Sequence, residues 1–117
     1  MEKNFQDQVN AMNEMVVKGE LINAGEKYFA QNIKTIEFDG TTTIGKQAVM
    51  KKLIDFMASI KKVNKLELLL SAADDNASFS EYLLDFDMKD GSNFSLHEII
   101  RSLWENGQVI EERYFKG

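Results

Sequence analysis

Two Asx-Gly pairs, Asp90-Gly91 and Asn106-Gly107, divide the last third of the chain into stretches that alternate apolar and polar residues. Such pairs tolerate the positive φ of tight hairpin turns, and a period of two marks a strand with one covered face. Ala77 to Met88, Phe94 to Trp104 and Gln108 to Phe115 are therefore expected strands, with Leu66 to Ala72 another before them. Strands joined this way form an antiparallel meander, and its inner face must be covered by the rest of the chain.

The N-terminal half supplies that cover. Phe5, Val9, Met12 and Val16 recur at spacings of four, three and four, one face of an amphipathic helix. Gly19 ends or bends it, and Glu20 restarts a helix carrying Leu21, Ala24, Tyr28 and Phe29. Ile33 to Phe38 is β-prone; Asp39-Gly40 turns the chain and Thr41 to Ile44 pairs back. After Gly45, a third helix buries Ala48, Val49, Leu53, Phe56, Met57 and Ile60, with Lys61, Lys62 and Lys65 complementing its C-terminal dipole. Helices segregated from strands give an α+β fold, expected as one domain over residues 1–117.

Composition removes several functions. The formal charge of −5 and only two arginines, Arg101 and Arg113, argue against nucleic acid as a partner. Without cysteine there is no thiolate nucleophile or thiolate metal ligand. The lone histidine, His97, has no HxH or HExxH spacing around it, so neither a metal nor another cofactor is expected. No basic start runs into an apolar leader and no apolar run approaches about 18 residues, so no membrane partner and a cytoplasmic location are expected.

Strand parity nominates a site, because alternate side chains share a face. In Phe94–Trp104 the even row is Phe94, Leu96, Glu98, Ile100, Ser102 and Trp104; in Ala77–Met88 it is Ser80, Tyr82, Leu84, Phe86 and Met88. Both even rows are the more apolar, so both are placed inward. That requires a three-residue bulged loop, Lys89-Asp90-Gly91, between them. Glu98 then interrupts an apolar inner row, where desolvation raises its pKa toward that of a general acid or base. A similar bulged loop at Asn106-Gly107 would turn Ile110, Glu112 and Tyr114 inward; a two-residue turn would turn Val109, Glu111, Arg113 and Phe115 inward. In the first case Glu98 and Glu112 form a candidate catalytic pair. The odd rows carry Phe79, Leu83, Ile99 and Leu103, too apolar for a wet face, with Arg101 expected to pair with Glu81 and His97 to lie near Asp85.

The run KGELINAGEKYFAQNI, the Gly-led TIGKQAVMKKLIDF and the closing DFDMKDGSNFSLHEIIRSLWENGQVIEERYF resemble, in order, segments of the nuclear transport factor 2-like superfamily, close to its SnoaL-like, polyketide-cyclase-type branch. The resemblance implies three N-terminal helices packed on a curved antiparallel sheet that forms a cone with an internal pocket. It favours the register with Glu112 and Tyr114 inward, and it implies a homodimer through the outer sheet face. Two departures stand out: Gln31-Asn32 replaces a paired acid, and in Ile36-Glu37-Phe38-Asp39-Gly40, with Glu37 aligned on the family's acidic residue, the usual base position of the ketosteroid-isomerase-like branch falls on Phe38. Glu37 or Asp39 could serve only with a shift of register.

The resulting expectation is a small apolar ligand in the cone, lined by Met12, Tyr82, Leu84, Phe86, Ile100, Trp104 and Tyr114. The alternative is a cofactor-free acid/base enzyme of isomerase, cyclase or hydratase type, with Glu98 and Glu112 as its catalytic carboxyls.

Overall fold

The computed structural model describes residues 4–117. Helices α1 (Phe5–Val17) and α2 (Leu21–Tyr28) lead into strand β1 (Phe29–Ile36) and the short β2 (Thr42–Ile44). Helix α3 (Lys46–Ala58) follows, then β3 (Ile60–Asp74), β4 (Ala77–Met88), β5 (Asn93–Glu105) and β6 (Gln108–Lys116). The six strands form one sheet in the order β2-β1-β6-β5-β4-β3. The α+β fold is as the sequence implies, three helices packed on a sheet that does not close on itself.

The sheet is mixed rather than wholly antiparallel. The β1–β2 ribbon does not stand apart: β1 lies parallel to β6, with Thr35 opposite Glu112 and Ile36 opposite Arg113. Phe29 belongs to this ladder, opposite Val109, and not to the second helix. A long-range parallel pairing leaves no local signature, so periodicity read Phe29 with the helix before it.

The helix ends follow local chemistry. Asn4 Oδ1 accepts the backbone N–H of Asp7 at 2.8 Å, capping α1. At the other end Gly19, with φ of 82°, donates to Val16 O and Glu20 donates to Met15 O, both at 2.9 Å, the paired bonds of a left-handed C-terminal cap. Lys61, Lys62 and Lys65 do not cap α3, because the chain turns extended at Ile60 and carries them out along β3. There they are exposed on an edge strand, where charge discourages pairing with another chain.

Register decides what the inner face holds. Gly91 N–H bonds Met88 O and Met88 N–H bonds Ser92 O across the three-residue loop Lys89-Asp90-Gly91. Even rows therefore meet even rows, with Ser80 opposite Ile100, Tyr82 opposite Glu98 and Phe86 opposite Phe94. The β5–β6 connection is different. Asn106 and Gly107 both have positive φ, 53° and 77°, and form a two-residue turn. A bulge then shifts the ladder between the Trp104–Val109 and Leu103–Glu111 pairs. Val109 and Glu112 are both buried as a result, and Ile110, expected inward, is the extra residue at the bulge.

A continuous core sits where α1 and α2 cross the β5–β6 end of the sheet. Val9, Met12, Ala24, Tyr28, Ile33, Val49, Met50 and Val109 pack there around Trp104. Phe5 and Tyr28 meet the indole edge-on at 5.5 and 5.7 Å between ring centres, and its Nε1–H donates to Ser78 Oγ at 2.9 Å.

Candidate functional site

Further along the inner face, away from Trp104, the helices and sheet separate around a cavity of about 390 Å³. From β5 it takes Phe94, Glu98, Ile100 and Ser102; from β4, Ser80, Tyr82, Leu84 and Phe86; from β6, Glu112 and Tyr114. Met12, Asn13 and Val16 of α1 lie across it, and Val49, Lys52, Leu53 and Phe56 of α3 close another side. Leu21, Ala24 and Gly25 of α2, Phe29 and Thr35 of β1, Leu66 of β3, and Glu37 and Phe38 just past β1 complete the wall. One part of its apolar wall is aromatic: Phe56 meets Phe86 and Phe94 edge-on at 6.0 and 5.3 Å, and Phe86 stacks on Phe94 at 6.2 Å.

Of the residues expected at the site, Met12, Tyr82, Leu84, Phe86, Glu98, Ile100, Glu112 and Tyr114 all line this cavity. Trp104 does not. It faces inward as its parity requires, but at the strand end, where α1 and α2 cover it and make it core.

Two polar groups are built into the walls. At the first, Asn13 Oδ1 accepts from Ser80 Oγ and Tyr82 Oη, both at 2.9 Å, and its Nδ2 donates to Ser71 Oγ at 3.0 Å. Asn13 was not anticipated, although it follows Val9 by four residues and precedes Val16 by three; a polar residue on an apolar helical stripe was the available signal. At the second, Glu112 is 6% exposed. Tyr114 Oη donates to its Oε1 at 2.9 Å and Ser102 Oγ to its Oε2 at 3.2 Å.

Glu98 differs from Glu112 in its surroundings. No hydrogen bond from a described residue reaches its carboxyl, which opens onto the cavity. Burial, then the charges of Glu112 and Glu37, push its pKa up to about 7. Burial also raises Glu112, partly offset by the hydrogen bonds of Tyr114 and Ser102. Glu37 is raised by burial, eased by Lys52 and reinforced by Asp39. Burial and the neighbouring Glu112 suppress the acidity of both Tyr82 and Tyr114. Of the three carboxyls lining the cavity, Glu98 is free to gain or lose a proton near neutrality, Glu112 has both oxygens engaged, and Glu37 lies beside Lys52.

The outer face differs from expectation in its ion pairs. Glu81 contacts His97, with 2.7 Å between Oε2 and Nε2, while Arg101 pairs with Glu111 at 2.9 Å. Glu81 lies opposite Ile99 and is diagonal to both His97 and Arg101; the β6 bulge brings Glu111 to Arg101, leaving Glu81 to the histidine. His97 accordingly lies outside the cavity. Among the described residues no helix is long and apolar enough to cross a membrane.

No family model matches the chain, and no curated protein does. Solved structures do. A protein from Mesorhizobium loti classed with the SnoaL-like polyketide cyclases is 20% identical, with a TM-score of 0.86 over 97% of this chain and 99% of that one. An NTF2-like protein of unknown function from Burkholderia pseudomallei is 13% identical, with a TM-score of 0.79 over 99% and 92%. A protein with a ketosteroid isomerase-like fold from Catenulispora acidiphila, in complex with trimethylamine, is 15% identical, with a TM-score of 0.73 over 94% and 85%. The chain has the nuclear transport factor 2-like fold.

Proposed function

We propose that this chain, a nuclear transport factor 2-like fold, binds a small, largely apolar organic molecule in its cavity. The observation that carries the reading is the cavity itself: about 390 Å³, walled mainly by aromatic and aliphatic side chains, with Asn13, Glu37, Lys52, Glu98 and Glu112 among its polar groups. Sites of that size and composition hold small ligands, the apolar wall supplying affinity and the polar groups orientation. The trimethylamine complex of the Catenulispora protein supports a small organic ligand in this fold. A thermal-shift screen of metabolites and lipophiles tests the reading. Compounds that raise the melting temperature of the native chain, and lose that effect when Ile100→Trp fills the cavity, are the expected result. No stabilising compound, or equal shifts in Ile100→Trp, overturns it.

One observation favours a second reading, acid/base catalysis of isomerase, cyclase or hydratase type without a cofactor. Glu98 opens to the cavity with its pKa pushed up to about 7, which suits proton transfer at neutral pH. Glu98 would move the proton, and Glu112, held by Tyr114 and Ser102, would set the local charge. Glu98→Gln then abolishes turnover and keeps ligand affinity; turnover that survives the change removes this reading.

The same proposal includes a second copy of the chain on the outer face of the sheet. Phe79 and Phe115 are 44% and 39% exposed there, beside half-buried Leu83, Ile99 and Leu103. The second copy would cover these apolar side chains, which are interspersed with the Glu81–His97 and Arg101–Glu111 pairs.

A further inference from the structure

The charge lining the cavity is one-sided. Among the described residues, Glu37 beyond β1, Glu98 on β5 and Glu112 on β6 contribute carboxyls, against a single amine, Lys52 on α3. The exposed Lys52 acts on Glu37 and is not among the groups that shift Glu98 or Glu112. Asp39 adds further negative charge beside Glu37. Helices α1 and α2 bring no charged side chain to the wall, and β4 brings only the neutral phenol of Tyr82. The deeper pair, Glu98 and Glu112, thus has no cationic partner among the described residues.

A metal ion does not fit this arrangement, because among the described residues no three acidic or histidine side chains converge closely enough to hold one. The apolar wall of Phe56, Phe86 and Phe94 requires a carbon-rich body, and ring faces also attract cations. Resting on the ligand-binding reading above and deepening it, the geometry points to a small protonated organic amine as the ligand. Its ammonium bonds the open carboxyl of Glu98, and its apolar body lies against the phenylalanine wall. Binding brings a proton on nitrogen into contact with a carboxylate, so a protonated Glu98 releases its own proton to solvent as the amine enters. A neutral carbonyl ligand has the opposite requirement, since it needs Glu98 protonated to donate.

Titration calorimetry of the full chain with N,N-dimethylbenzylamine and with the neutral ketone propiophenone, at pH 6 and pH 8, separates the two. The amine stays protonated across this range while Glu98 ionises. Amine affinity is expected to rise about tenfold from pH 6 to pH 8, with proton release at the lower pH. Glu98→Gln should lose most of that affinity and its pH dependence while still binding the ketone. Amine affinity that is flat or falling over this range, or that Glu98→Gln leaves within about twofold, overturns the assignment. Ketone binding without amine binding overturns the ligand class alone. If neither probe binds, the ligand-binding reading falls with it.

Discussion

Tyr114 donates its phenolic hydrogen bond to Glu112 Oε1 at 2.9 Å, from two residues along the same inward row of β6. The bulge at Ile110 puts both side chains on the inner face, so one irregularity in the ladder builds the polar wall of the cavity. Removing the donor leaves a buried carboxyl short of a partner. Tyr114→Phe should cost about 1–2 kcal/mol in chemical denaturation. A loss below a few tenths of a kcal/mol would mean that water replaces the phenol without penalty.

Glu98 should make the fold less stable as pH rises. Its folded pKa of about 7 lies above the usual carboxyl value of 4.5, so between these values the folded state binds more protons than the unfolded state. Stability is therefore greatest below the unfolded pKa and falls as pH rises through the folded one. The share due to Glu98 is about 1–3 kcal/mol, and Glu112 and Glu37 add to it in the same direction. Glu98→Gln should flatten the slope from pH 5 to 8 and be the more stable protein at pH 8. Denaturant midpoints across that range check this; parallel curves for the two proteins would contradict it.

Asn13 joins α1 to β3 and β4 through Ser71, Ser80 and Tyr82. Asn13→Ala strands these polar groups and opens a void, with an expected loss of about 2–4 kcal/mol. If urea midpoints move by much less, water bridges the three partners.

In the proposed dimer Phe79, exposed on the outer face, is the contact between the two copies. Sedimentation velocity should show a dimer for the native chain at micromolar concentration and a monomer for Phe79→Lys, with the circular dichroism spectrum unchanged. A native chain that sediments only as a monomer removes the proposed interface.

The even rows of β4 and β5 were legible because strict alternation and the three-residue loop at Lys89-Asp90-Gly91 leave one consistent register. The β6 register was not. Asn106-Gly107 suits either turn length, and the bulge that brings Glu112 inward has no compositional mark. Trp104 shows a second limit: parity gives its face but not which helices lie over that end of the strand, and docking of α1 and α2 makes it core. For the same reason Phe56 and Lys52 could not be assigned to the cavity from the α3 stripe alone. The parallel β1–β6 pairing, which brings Thr35 opposite Glu112, joins segments too far apart in sequence for any local pattern to show it.

The central claim, that the cavity receives a small organic molecule, is tested most directly by following backbone and indole ¹⁵N–¹H signals during titration with propiophenone. Saturable shifts are predicted at Tyr82, Leu84, Phe86 and Ile100, on two of the strands that wall the cavity. The Trp104 indole, held to Ser78 at 2.9 Å inside the core, should stay in place. No saturable shift at those residues, or shifts confined to the outer face around Phe79 and Phe115, would contradict the claim.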